Sequence, residues 1–325
     1  LGIKNALVGG QAGDALTHAD FNVAVGMAAL SGDTLGSKSV AIGTFSLLAQ
    51  NFTTATDSFN TAVGHSAGLS VTTGLRNTIV GGIAGDALTD ADDNTVFGYN
   101  ALTADTLGSK TVAIGRSVLS SQNFTTATDT YNTAVGFSAG GQVTTGHSNT
   151  LIGGLVGDAL TDGVENVALG YNSLGADTRG SKSVAIGKEA LKVQNQTTSV
   201  STFNVAVGFK AGVAVTTGIK NTFVGAEAGD SATDSEFCVA VGYGAMGGAD
   251  PANANVGIGG SSLQVVTGAL NTGLGHASGL TLTSGENNLF LGADAGRVGS
   301  PGGNITTADN TVVVGDENIS ACHIQ

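Results

Sequence analysis

The sequence predicts an all-β fold, a parallel β-roll or β-solenoid of about 18 coils, and three observations predict it. A glycine recurs from Gly9, Gly26, Gly43 and Gly64 through to Gly315, mostly at steps of 17 residues. The residue before it is large and apolar, as in Val8, Val25, Ile42 and Val63. An asparagine usually opens the motif four residues ahead of the glycine, as in Asn60-Thr61-Ala62-Val63-Gly64. A fixed period of this size denotes stacked supersecondary units with loops at set positions around the stack.

Every fourth step is 21 residues instead (Gly43 to Gly64, Gly115 to Gly136, Gly187 to Gly208), so the larger repeat is a four-coil block of 72 residues. Only the last stretch is irregular, with steps of 16 and 23. Unbroken repetition predicts a single elongated domain over 1–315, with 316–325 beginning a following segment. At ~4.8 Å per coil it would form a rod of roughly 85 Å.

Composition narrows the class. The chain has 52 Gly, 2 Pro and no Trp, and its 41% of hydrophobic residues recur in register, which opposes disorder. Glycine does not fall at every third position, which excludes collagen. A net charge of −13 suits a soluble apolar-rich rod and opposes nucleic acid or an anionic membrane as partner. No run approaches the roughly 20 apolar residues of a membrane helix, so no membrane insertion is expected. The chain starts inside a repeat without a signal-peptide pattern, which reads as a fragment lacking targeting and anchoring segments. Cys238 takes the slot that Asn fills elsewhere and reads as a packing residue. Cys322 stands about four coil rises away, roughly 19 Å, beyond the ~7 Å reach of a disulfide, and is a candidate only for a bond between chains.

Within each copy the strand alternates faces. Thr or Val three before the glycine and the apolar residue just before it share one face; the residue between them, mostly Ala (Ala24, Ala62, Ala134, Ala206), points the other way. Both faces are apolar, so both are expected to be buried. A thin two-strand coil covers only one of them, so the alanine face is expected to need another chain, three around one axis being the closed arrangement adopted. Where the middle residue is large (Leu7, Ile79, Leu151, Phe223, Phe290) the residue after the glycine is small, which reads as volume conservation at one packed site. Four after the glycine, Gly or Leu alternates in the four-coil rhythm, as in Gly68, Gly85, Leu102 and Leu119.

The recurring structural residues are typified by Asn60, Val63 and Gly64, by Asn132, Val135 and Gly136, and by Asn204, Val207 and Gly208. Stacked asparagines tolerate tight turns and form hydrogen-bonded ladders. Ser39, Thr111 and Ser183 replace Asn in the third coil of a block, after Gly-Ser-Lys, where a different turn is expected.

The runs Asn-Thr-Ala-Val-Gly, followed by x-x-Ala-Gly, and Ser-Val-Ala-Ile-Gly (39–43, 183–187) resemble the head repeats of trimeric autotransporter adhesins. They are similar also to the Gly/Asn repeats of phage tail-fibre and bacterial surface proteins. The resemblance spans Asn5 to Gly315 and implies a trimeric, left-handed parallel β-roll. This chain departs from the adhesin pattern in its longer coils and regular insertions.

Candidate chemistry is sparse. Asp86, Asp90, Asp92 and Asp93 are candidate Ca²⁺ ligands, set against a solvated acidic turn, because carboxylates in the loop suit a hard cation while the nine-residue period of Ca²⁺-binding repeats is missing. No other cofactor is implied. The insertions at 49–59, 121–131 and 193–203 project every fourth coil. Their aromatics Phe52, Phe59, Phe124, Tyr131 and Phe203 are candidates to stack on sugars or to plug an interface between chains. Three Asn-x-Thr acceptor patterns (Asn51, Asn123, Asn195) fall in the same insertions and have meaning only in a eukaryotic host. Thr-Thr-Gly at 72–74, 144–146 and 216–218 comes once per block, so no flat threonine ladder for ice is expected. Five scattered histidines, no nucleophile elbow and no helix behind the glycines oppose an enzyme. The expected function is a non-enzymatic fibre or adhesin shaft or head, extracellular, on a cell surface or virion, meeting a host receptor or glycan. The alternative is a subunit that stacks end to end into a filament through uncapped strand edges.

Overall fold

The computed structural model describes residues 2–316, Asn318 and Ile319; Cys322 and most of the 316–325 segment lie outside the described residues. It is an all-β parallel solenoid of about eighteen coils with no helix among those residues. The chain forms two compact units, residues 1–165 and 166–325. Each carries one three-residue strand per coil, from Ala6–Val8 to Thr150–Ile152 in the first unit and from Val167–Leu169 to Val312–Val314 in the second. Adjacent strands pair in parallel with matching motif positions opposed, Ala62 on Ile79 and Ala134 on Leu151 in the first unit, Ala206 on Phe223 in the second.

The strands are short because the backbone is turned at fixed places. In the coil closed by Gly98, Asp93, Asn100 and Leu102 all have left-handed φ (59°, 58° and 51°), and Gly98 itself sits at 145°. A left-handed leucine costs about 1–2 kcal/mol. Leu102 is wholly buried, which offsets that by about 1.5–3 kcal/mol. The glycine has no such alternative: a Cβ on Gly64 would stand 2.4 Å from the carbonyl oxygen of Gly81, and one on Gly136 2.2 Å from that of Gly153. The coil is therefore one strand closed by a run of turns, not two strands. Among the described residues a second, two-residue strand forms only between the third and fourth coils of a block: Gly36–Ser37 with Thr56–Asp57, Gly108–Ser109 with Thr128–Asp129, and Gly180–Ser181 with Val200–Ser201. The turn itself is not the different one expected: Lys38, Lys110 and Lys182 (φ 62°, 60° and 62°) match Arg76 and Asp93 (57° and 59°), and Gly-Ser-Lys differs only in the short strand before it.

The faces are the reverse of the expectation. From the second coil on the middle residues, Ala62, Ile79, Val96, Ala113 and Ala134 among them, are buried inside their own coil, and the flanking residues look outward, mostly half-exposed; in the end coil Leu7 is itself exposed. A coil closed by tight turns has an interior about one side chain deep, so alanine suits its inside. The volume exchange also lies elsewhere. Gly68 and Gly85 would each place a Cβ within 3.4 Å of the Ile79 Cδ1, and Gly140 and Gly157 do the same against Leu151. A large middle residue thus fills the space that Leu occupies four positions after the glycine in other coils. The residue directly after the glycine stands outside the core and takes no part.

Candidate functional site

The asparagine column is built as a staple between coils. Asn60 Oδ1 accepts from the backbone N–H of Asn77 at 2.9 Å, and its Nδ2 donates to the Gly74 carbonyl at 2.7 Å. Asn132 bonds Asn149 and Gly146 in the same way, and in the second unit Asn204 bonds Asn221 and Gly218. The ladder runs chiefly through backbone groups, with only some amide-to-amide bonds. Cys238 continues the column: its N–H donates to Asn221 Oδ1, its Sγ lies 3.3 Å from the Ala252 carbonyl, and burial pushes its thiol pKa up. Val63, Val135 and Val207 lie on the outward face, half-buried. Gly64, Gly136 and Gly208 form part of the glycine stack.

Where Ser or Thr replaces Asn, a buried polar network takes over. Asp33 accepts from the N–H of Gly36 and of Phe52 and from Gln50 Nε2 (3.0, 3.2 and 2.6 Å). Gln50 also donates to Ser39 Oγ and accepts from Asn60, and Ser39 meets Ser58 at 2.5 Å. The set recurs as Asp105, Gln122, Thr111, Thr130 and Asn132, and as Asp177, Gln194, Ser183, Thr202 and Asn204. A buried carboxylate without a cation survives because three N–H groups satisfy it. The glycine ruler does not mark this set; its signal in the sequence is the exact 72-residue recurrence of Asp33 and Gln50.

The four candidate Ca²⁺ ligands are engaged by other groups, Arg76 reaching both Asp92 and Asp93. Asp86 and Asp90 accept from the hydroxyls of Thr103 and Thr73, Asp92 from the Leu75 N–H, and Asp93 from Arg76 at 2.6 Å. The Arg76 hydrogen bond holds the Asp93 carboxyl below its ordinary range. Among the described residues no three acidic, histidine or cysteine groups converge in a way that could hold a metal ion. Burial raises the carboxyl pKa of the related Asp158 and Asp230, and Asp230 Oδ1 has no hydrogen-bond partner.

The insertion aromatics divide into two kinds. Phe52 and Phe124 are 5% and 7% exposed and belong to the core; they are not free to stack on a ligand. Phe59, Tyr131 and Phe203 are half-exposed, in a column where cations stand one coil ahead of rings. Lys38 lies over Phe59 at 5.0 Å, Lys110 over Tyr131 at 5.3 Å and Lys182 over Phe203 at 5.4 Å. Lys38 and Lys110 also pair with Asp57 and Asp129 at 2.5 Å. The Lys110 hydrogen bond lowers the Asp129 pKa and raises that of Lys110. These rings thus already carry a cation of their own chain.

Three further columns line the coils, of which only the first carries no expectation from the sequence. A threonine eight residues after the glycine recurs in most coils, with hydroxyl bonds such as Thr72 to the Thr89 carbonyl and Thr89 to that of Thr106. Asn51, Asn123 and Asn195 break this column where the insertions emerge. The outward strand positions carry only Val, Ile, Leu, Phe, Thr and Ala, with no charged residue in either unit. Several are well exposed, including Val8, Ile42, Phe97 and Ile152. Beside this face, the residue after the glycine alternates coil by coil. In the first unit Met27, His65, Tyr99 and Phe137 interleave with Gly10, Thr44, Gly82, Arg116 and Gly154; in the second Tyr171, Phe209, Tyr243 and His276 interleave with Lys188, Ala226, Gly260 and Ala293. Most of the bulky members are about half-exposed.

No protein-family model matches the chain, and no curated protein matches its sequence.

Proposed function

We propose that this protein is a non-enzymatic structural solenoid of an extracellular fibre, on a cell surface or virion, that associates with two further copies to form a trimeric shaft or head for attachment. The observation that carries this reading is the uncharged outward strand face. In a chain of net charge −13, nine consecutive rungs of each unit present only apolar and threonine side chains to solvent. At ~4.8 Å per rung and ~3.3 Å per residue, each unit offers a strip roughly 40 Å by 10 Å. Contiguous apolar surface of that extent marks an interaction site on a soluble protein, and a closed ring of copies covers it without leaving an edge. The self-association thus uses the valine and isoleucine side of the strand, not the alanine side. The half-exposed Phe59, Tyr131 and Phe203 at the insertion edge are where a host receptor or glycan would be met.

Sedimentation equilibrium on the purified folded chain tests the reading. It should show three copies, and Val63→Lys with Val135→Lys should return a folded monomer. A stable, soluble native monomer would rule the proposal out.

A further inference from the structure

The row that follows the stacked glycines contains bare positions that its own chain does not explain. A Cβ on Gly10 would meet nothing within 4 Å, one on Gly82 only Tyr99 Cδ2 at 3.6 Å, and one on Gly260 His276 Cδ2 at 3.5 Å and the Tyr243 carbonyl at 3.8 Å. None of the three has a left-handed φ. Their neighbour Gly81 differs on both counts, with φ 139° and a would-be Cβ 2.4 Å from the Gly98 oxygen. Glycine where neither conformation nor space demands it gives up unfolded-state entropy for nothing within the chain. What it does allow is close approach by another backbone or side chain.

We infer that this row, bulky at every second coil and bare at Gly10, Gly82 and Gly260, is a docking surface for a second copy of the chain, whose large side chains occupy the bare positions. The pitch identifies the occupant. Thr44, Arg116 and Lys188 fill the alternate positions, so Gly10, Gly82 and Gly154 recur every fourth coil, roughly 19 Å apart, and a partner must repeat at that interval to fill them; this chain, with its four-coil block, does. The area agrees. A half-exposed aromatic leaves on the order of 100 Å² uncovered; four bulky residues per unit, added to the adjoining uncharged strand face, approach the ~800 Å² per partner of a standard interface.

The inference rests on the self-association proposed above and is tested by the sign of one effect. Gly10→Ala with Gly82→Ala in the full chain would, without a neighbour, add methyl groups into open space and raise Tm by stiffening the unfolded chain. A docked copy reverses this: Tm falls and the dissociation constant rises at least roughly tenfold. Tyr99→Ala with Phe137→Ala should weaken assembly likewise. If the alanine variant keeps its assembled mass with Tm raised or unchanged, this docking surface is wrong while self-association stands. A monomeric native chain overturns both.

Discussion

Gln122 Nε2 donates to Asp105 Oδ2 at 2.6 Å in an interior from which both side chains are wholly screened. The carboxylate also accepts the N–H groups of Gly108 and Phe124, so it binds an insertion to the coil before it. Asp105→Ala strands three donors, each costing about 1–3 kcal/mol when buried and unpaired. Urea unfolding should show at least about 3 kcal/mol lost. A loss under about 1 kcal/mol would mean that the network is not what fixes the insertion.

Gly136→Ala should be among the most damaging single-methyl changes in the chain. Its φ is 135° and its added Cβ would sit 2.2 Å from the Gly153 carbonyl oxygen, a backbone atom that cannot swing away. Circular dichroism should show loss of the folded state or a Tm lowered by well over ten degrees.

Ala134 and Val135 are adjacent but answer to different environments. Ala134→Glu puts a charge into a fully buried site and should unfold the coil at any protein concentration. Val135→Glu, on the outward face, should keep the circular dichroism spectrum and change only the assembled mass. Equal effects from the two would contradict the assignment of inside and outside.

Phe124→Ala removes a 7%-exposed ring and should cost about 3–5 kcal/mol. Tyr131→Ala removes a 57%-exposed one, with its cation contact to Lys110, and should cost about 1 kcal/mol or less. Thermal unfolding of the two variants distinguishes a core ring from a surface ring within one insertion.

Burial holds the Asp230 pKa above its ordinary value, with the nearby Glu227 charge adding to the shift. A carboxyl whose folded pKa is raised favours folding only while protonated: its contribution is full below the unfolded value of about 3.9 and is lost as pH rises through the folded pKa. Asp230→Asn should therefore raise Tm at pH 7 and have little effect near pH 3. Asp93, lowered by Arg76, acts in the opposite sense, favouring folding above about pH 4 and ceasing to do so as pH falls through its folded value.

Much of the architecture was legible because the glycine ruler records a backbone constraint repeated at each rung: Gly64 has to be glycine, and so does Gly136. Which strand face points inward was not legible, since Ala134 and Val135 are both apolar and alternation alone carries no sign. The decision lay in the closing turns, where Leu102 and Leu119 adopt left-handed φ that their residue type does not announce. Phe52 and Phe59 illustrate the same limit at the insertion edge. They are alike in composition and context, yet one is buried and the other half-exposed. The Asp33 and Gln50 network was recoverable from recurrence alone, but only if polar residues had been compared block by block as the glycines were.

The alternation after the glycines gives the chain a parity. Excising residues 60–131, one whole block, would join Phe59 to Asn132 and leave each column continuous. Excising residues 77–93, a single rung of 17, would keep the glycine stack intact but set His65 beside Tyr99 and Arg76 beside Lys110. Like would then face like on both margins of the strand. Duplication or deletion within this gene therefore preserves the core exchange and the surface pattern together only in whole blocks of four rungs.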